Sequence, residues 1–146
     1  MQGSSQPDKF LIGLMADDLV DLTITSCDRR ESYAQKEARK LAQRNGQPVE
    51  KPKTPKFPSF LYDTYVNRMI TSALDIQEAV LIANEAYQKY ETGRKENATM
   101  AMAKCVQLNH LVRIAANKGW FSEKERDRLQ DLITNLRWKI FHWIKN

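Results

Sequence analysis

The sequence predicts an all-α protein, an antiparallel up-and-down four-helix bundle with a basic Pro/Lys-rich linker between helices one and two. Three observations carry that expectation. From Ser59 to Asn146, apolar residues recur at helical spacing with almost no glycine or proline between them. The connections among the last three helical stretches are short, which makes neighbours of consecutive helices. A chain of 146 residues, 42% hydrophobic and 28% charged, is long enough for one core and has ordinary globular composition. A single domain over 1–146 is expected, with 1–6 as a flexible tail and 45–58 as the linker.

Helix one is predicted to open near Pro7-Asp8, where Asp caps an N-terminus, and to bury Leu11, Leu14, Met15, Leu19 and Leu22, leaving Asp17 and Asp21 outside. From Arg29 to Arg44 the apolar face thins to alanine and Leu41, so this stretch reads as an exposed extension of helix one, stopped by Asn45-Gly46. Pro48, Pro52, Pro55 and Pro58, interleaved with Lys51, Lys53 and Lys56, preclude a helix and favour extended backbone. That segment is either a solvated loop or an arm that binds nucleic acid.

Helix two, from about Ser59 to Glu91, carries Tyr62, Val66, Met69, Ala73, Ile76, Val80, Ala83 and Tyr87, a seven-residue repeat that other helices must bury. Helix three, about Arg94 to Lys118, repeats the pattern with Ala98, Ala101, Cys105, Leu108, Val112 and Ala115 and ends at Gly119, where a left-handed cap fits. Ser122 with Glu125 three residues on forms a capping box for helix four. That helix is apolar over a wide arc: Leu129, Leu132, Leu136, Ile140 and Trp143, widened by Ile133 and Ile144. Trp120, Phe121, Trp138, Phe141 and Trp143 crowd the C-terminal region, either closing the core or offering part of the surface to another copy or a partner.

Charge is unevenly placed. The net charge is +5 overall, −4 over residues 1–28, +6 over 29–56, −1 over 57–112 and +4 over 113–146. Two basic segments suit a phosphate-rich partner, although an acidic protein surface matches the same sign. The candidate binding residues are Arg39, Lys40 and Arg44 in the extension, Lys51, Lys53 and Lys56 in the linker, and Arg68 on helix two. Arg113 and Lys118 at the end of helix three, and Lys124, Arg128, Arg137, Lys139 and Lys145 on helix four, complete the set. The alternative is that these cations only solubilise a bundle.

Signs of catalysis are sparse. Cys27 and Cys105 lack the close spacing of a zinc site or redox pair and read as small buried hydrophobes, with a disulfide as the alternative. Neither His110 nor His142 is followed at i+3 or i+4 by a carboxylate, as bundle metal sites require, so each reads as solvent-facing or structural. The carboxylate pairs Asp17 and Asp18, Asp75 with Glu78, and Glu123 with Asp127 accompany no nucleophile and no glycine-rich phosphate loop. Asp75, beside the buried seam of helix two, is expected to pair with an arginine of a neighbouring helix. The expectation is a protein that is not an enzyme and uses no metal or cofactor. No apolar run approaches the roughly 18 residues that span a bilayer, and Met1 to Gln6 lacks a basic n-region and an apolar h-region. A soluble, cytoplasmic protein is expected.

Several segments together resemble a known family. Phe57-Pro58-Ser59-Phe60-Leu61-Tyr62, Arg68-Met69-Ile70-Thr71-Ser72-Ala73-Leu74-Asp75-Ile76 and Glu78-Ala79-Val80-Leu81-Ile82-Ala83-Asn84 are similar to the second helix of the accessory variability determinant proteins of diversity-generating retroelements. Asn117-Lys118-Gly119-Trp120-Phe121-Ser122-Glu123-Lys124 and Leu136-Arg137-Trp138-Lys139-Ile140-Phe141-His142-Trp143-Ile144-Lys145 resemble that family's turn and closing helix. The family shares its fold with four-helix proteins encoded in intervening sequences of ribosomal RNA. The resemblance covers about 90 residues from Phe57 onward and helix one more loosely; the basic segment Arg29 to Lys56 is longer than the family's usual connection. It implies a homopentameric, positively charged barrel without catalysis of its own, in the cytoplasm of a bacterial or phage-infected host cell. Its implied partners are a reverse transcriptase and template RNA, or DNA or an RNA–DNA hybrid, during mutagenic retrohoming. The other reading is a basic four-helix adaptor that docks an acidic protein and meets no nucleic acid.

Overall fold

A computed structural model of the chain describes residues 10–28, 33–49, 56–87 and 91–145. Among them every regular element is helical. The described residues form five α-helices: α1 (Leu11–Cys27), α2 (Tyr33–Arg44), α3 (Asn67–Tyr87), α4 (Glu91–Asn117) and α5 (Glu123–Lys145). α3 packs along α4 and α4 along α5, while α1 lies against both α3 and α5; α2 shares no extensive packing with these four. Within the basic stretch Tyr33–Arg44 is thus a separate helix rather than an extension of α1, and 29–32 lie outside the described residues. Asp28 ends α1 in extended backbone, its N–H closing the last turn onto Ile24 O at 2.9 Å.

The seams of α3 and α4 follow the heptads. On α4, Ala98, Ala101, Cys105, Leu108, Val112 and Ala115 are all buried, and on α3 so are Val66, Met69, Ala73, Ile76, Val80 and Ala83, with Val66 in the turn that leads into the helix. Ser72 and Ala79 join them as small residues that admit a neighbouring helix closely. Tyr62 is half-buried, and the Tyr87 side chain lies outside the described residues. The start of predicted helix two is not α-helical: a 3₁₀ turn (Ser59–Leu61) leads into a π turn (Tyr62–Val66). Glu91, assigned by its sequence to helix two, opens α4.

α1 differs from its predicted face. Leu11 and Leu14 are 49% and 47% exposed, Met15 and Leu22 are half-buried, and the buried row is Ile12, Gly13, Ala16, Leu19, Thr23, Ser26 and Cys27. Small residues dominate that row because α1 nests between α3 and α5. Thr23 satisfies its buried hydroxyl by donating to Leu19 O at 2.6 Å. Gly13 leaves room for the Phe10 ring, which reaches Trp143 of α5 at 5.7 Å; a Cβ on Gly13 would meet that ring at 2.5 Å. The predicted cap at Pro7-Asp8 lies outside the described residues, and α1 begins after Phe10.

The helix ends obey the sequence. Gly46 and Gly119 take φ of +68° and +80°. Trp120 N–H donates to Ala115 O at 2.8 Å and Gly119 N–H to Ala116 O at 3.0 Å, the paired bonds of a glycine-terminated helix. Gln47 and Gly46 repeat the pattern on Ala42 and Gln43. The capping box forms in both directions: Glu125 N–H donates to Ser122 Oγ at 3.1 Å, and Ser122 N–H to Glu125 Oε1 at 3.0 Å.

Phe57 closes one end of the core. Fully buried, it meets Trp120 and Phe121 at 5.4 Å and Tyr62 and Tyr65 at 6.0 and 6.3 Å. Tyr65 donates its hydroxyl to Leu111 O, tying the π turn to α4. At the other end Arg94 donates to Trp143 O and sits 5.3 Å over its ring. Among the described residues no helix is long and apolar enough to cross a membrane.

Candidate nucleic-acid interface

α5 divides its residues by helical angle. Leu129, Ile133, Leu136 and Ile140 enter the core, and the outward arc carries Lys124, Arg128, Arg137, Trp138, Lys139, Phe141, His142 and Lys145. Two residues advance a helix by about 200°, so Arg137 and Lys139 stand on different edges. The Arg137 edge faces α4. There a cleft of about 160 Å³ is lined by Cys105, Val106, Asn109, His110, Arg113, Ile133, Thr134 and Arg137.

This cleft gathers donors. Arg113 donates from Nη2 to His110 Nδ1 at 2.7 Å, which leaves the proton of the neutral ring on Nε2. Arg137 stands near Cys105: burial pushes that thiol up to about 12, with the Arg137 guanidinium pulling the other way. Asn109 holds its buried Oδ1 without a partner. Rotation of that carboxamide exchanges its oxygen for N–H donors. Two fixed positive charges, a hydroxyl and an amide therefore border one small space, the donor set an oxyanion needs.

Beside the cleft are exposed rings. Trp138 is 62% and Phe141 43% exposed, and they stack at 6.1 Å with 22° between their planes. His142 meets Trp138 edge-on at 4.4 Å, and Lys145 Nζ lies 5.9 Å from the Phe141 ring. The other C-terminal aromatics are spent on packing: Phe121 is buried, and Trp120 and Trp143 are half-buried against the core.

The remaining candidates are scattered. Lys56 is not a surface cation: its side chain is only 7% exposed, pairs with Glu125 of the capping box, donates to Ser26 O at 3.2 Å and lies 4.9 Å over the Phe121 ring. Arg68 lines a groove of about 660 Å³ with Asp63, Tyr65, Asp75, Lys104 and Gln107, where two carboxylates balance two cations. Asp75 does meet a neighbouring helix, but its partner is Lys104 at 3.5 Å and not an arginine. Lys118 is exposed at the end of α4, as are Lys124 and Arg128 at the start of α5. Arg39, Lys40 and Arg44 lie on α2, with Lys40 4.0 Å from Glu37. Lys51 and Lys53 lie outside the described residues.

Sequence reasoning singled out Arg113 and Arg137 but missed Asn109 and Thr134. Only the register of α4 against α5 makes them neighbours. The pairing of His110 with Arg113, three residues apart on one helix, was readable from spacing. Compared with protein-family models, curated proteins and solved structures, the chain matches none.

Proposed function

We propose that this chain is a non-catalytic nucleic-acid-binding accessory protein of the diversity-generating retroelement kind, assisting a reverse transcriptase with template RNA in the cytoplasm. One observation carries the reading: the α4–α5 edge sets Arg113 and Arg137 in one cleft beside exposed, stacked aromatic rings. Phosphate recognition calls for the first and base recognition for the second.

In this reading α1, α3, α4 and α5 form an antiparallel up-and-down four-helix bundle. Supporting it, Phe10 before α1 meets Trp143 near the end of α5, Ser26 near the end of α1 meets Lys56 before α3, and Tyr65 before α3 meets Leu111 late in α4. Self-association into a homopentamer belongs to the same proposal and is supported by Leu11, Leu14 and Ile24 of α1 and Leu74 and Leu81 of α3, all left exposed.

The test is mass by light-scattering chromatography, with and without a structured RNA, at low and moderate salt. A pentamer that moves to a larger, salt-sensitive complex is the expected result. A monomer indifferent to RNA would overturn the proposal in favour of an adaptor for an acidic protein.

A further inference from the structure

The donor-lined cleft and the stacked rings share one edge of α5. Thr134, Arg137 and Phe141 follow at i, i+3 and i+7, and Trp138 stands one turn beyond Thr134, so the wall of the cleft runs on into the exposed rings. About 6 Å of helical rise, four residues, carries the surface from Arg137 to Phe141.

We propose that this edge seats single-stranded nucleic acid, with a phosphate in the cleft between Arg113 and Arg137 and the adjoining base against the Trp138–Phe141 face. The inference rests on the nucleic-acid reading above and names its ligand as unpaired strand. A duplex stacks its bases on one another and offers outside only phosphates, sugars and groove edges, for which flat exposed rings have no use. An unpaired strand offers both a phosphate and a free base face. Aromatic rings interleaved with arginines are the usual platform for that combination. An acidic protein would meet the arginines equally well but leaves the stacked pair without a matching flat surface.

Fluorescence anisotropy of the full chain tests this, using a labelled 12-nucleotide oligouridine and a 12-base-pair RNA duplex at matched salt, with intrinsic tryptophan emission read in parallel. Trp138 is the exposed one of three tryptophans, so strand binding quenches the exposed fraction of the emission. Trp138→Ala is expected to weaken oligouridine binding by about tenfold and duplex binding hardly at all. Arg137→Gln is expected to lower the slope of log K against log salt for the strand by about 0.7. Trp138→Phe keeps a ring and retains most of the affinity, and each variant's urea midpoint shows that it is folded.

Equal affinity for strand and duplex, unmoved by Trp138→Ala, would overturn the proposal while leaving nucleic-acid binding intact. Inorganic pyrophosphate displacing the strand completely at millimolar concentration, with Trp138→Ala silent, would reduce the site to an anion pocket and overturn it too. Binding of neither RNA at any salt would remove both this inference and the reading beneath it.

Discussion

Replacing Lys56 with methionine tests whether a linker cation is structural. Methionine keeps most of the alkyl stem against Phe121 and deletes the charge. Three interactions go with it: the pairing with Glu125, the bond to Ser26 O at 3.2 Å and the approach to the Phe121 ring at 4.9 Å. Loss of one partner from a buried pair costs about 3–5 kcal/mol. The Glu125 side chain is 26% exposed and still accepts from Ser122 N–H, so the cost is discounted from that range and we expect a loss of roughly 2–4 kcal/mol. With a urea slope near 2 kcal/mol/M, the midpoint falls by about 1–2 M. Glu125→Gln, which keeps the cap but strands the Lys56 charge, should cost a similar amount, and the double variant should cost less than the two losses added together. Lys40→Met, at an exposed pair, serves as the control and should hardly move the midpoint. Salt distinguishes the two sites as well, because a pair held at 7% exposure is screened far less than one in solvent. A Lys56→Met protein that unfolds within 0.3 M of the parent, or that loses RNA affinity without losing stability, would refute the reasoning.

Four further outcomes follow from the same geometry. Burial pushes the thiols of Cys27 and Cys105 from 9.0 up to about 12. The unfolded chain therefore releases two protons between pH 9 and 12 that the folded chain keeps, and stability falls as pH rises through that window, by about 2.7 kcal/mol per unit well above 9. Well below pH 9 the thiols contribute no dependence, and urea midpoints at pH 8 and 10 should converge in a Cys27→Ala/Cys105→Ala protein relative to the parent. Tyr65→Phe leaves the aromatic cluster in place but removes the bond to Leu111 O, lowering the urea midpoint by the equivalent of about 1 kcal/mol. Gly119→Ala strains a backbone at φ +80° where a Cβ meets no other atom, costing about 1–2 kcal/mol. Gly46→Ala, at φ +68°, should leave global stability almost unchanged in the same denaturation because α2 packs extensively on no other helix.

What the sequence revealed of the fold depended on how many residues had to agree. On α4 the heptad assigned six core positions and all six are buried, because six residues at that spacing define one continuous face even with Met100, Val106 and Ile114 exposed beside it. Glycine caps and the capping box were legible because their chemistry is local. α1 was not. Its leucines and its small residues both recur with helical period, and nothing within the helix says that close approach to α3 and α5 favours Gly13, Ala16 and Ser26 over Leu11 and Leu14. The π turn has no residue signature either. Lys56 reads in sequence as one of three linker lysines, and only contacts with residues 30 and 69 positions away reveal that folding consumes its charge. The cleft was half legible for the same reason: composition supplied Arg113 and Arg137, while their meeting is a property of two helices in register.

The aromatics divide into those that hold the fold together and those that the core leaves unused. Trp120 is held by Phe57 and Tyr65 at 5.4 and 5.5 Å, and Trp143 by Phe10 and the Arg94 guanidinium, so each closes one end of the core. Trp138 and Phe141, three residues apart on the same helix, find no such partners: their ring contacts run to each other, to His142 and to Lys145. A stacked pair in solvent forgoes most of the stabilisation, roughly 1.5–3 kcal/mol per large side chain, that burial would bring. The fold therefore draws little from Trp138, and its truncation should leave the urea midpoint near that of the parent, whereas truncation of the half-buried Trp143 should cost about 2–3 kcal/mol of stability. The weakly stabilising pair follows the arginine-lined cleft along an edge of α5 that the core does not constrain, which the proposed strand site requires.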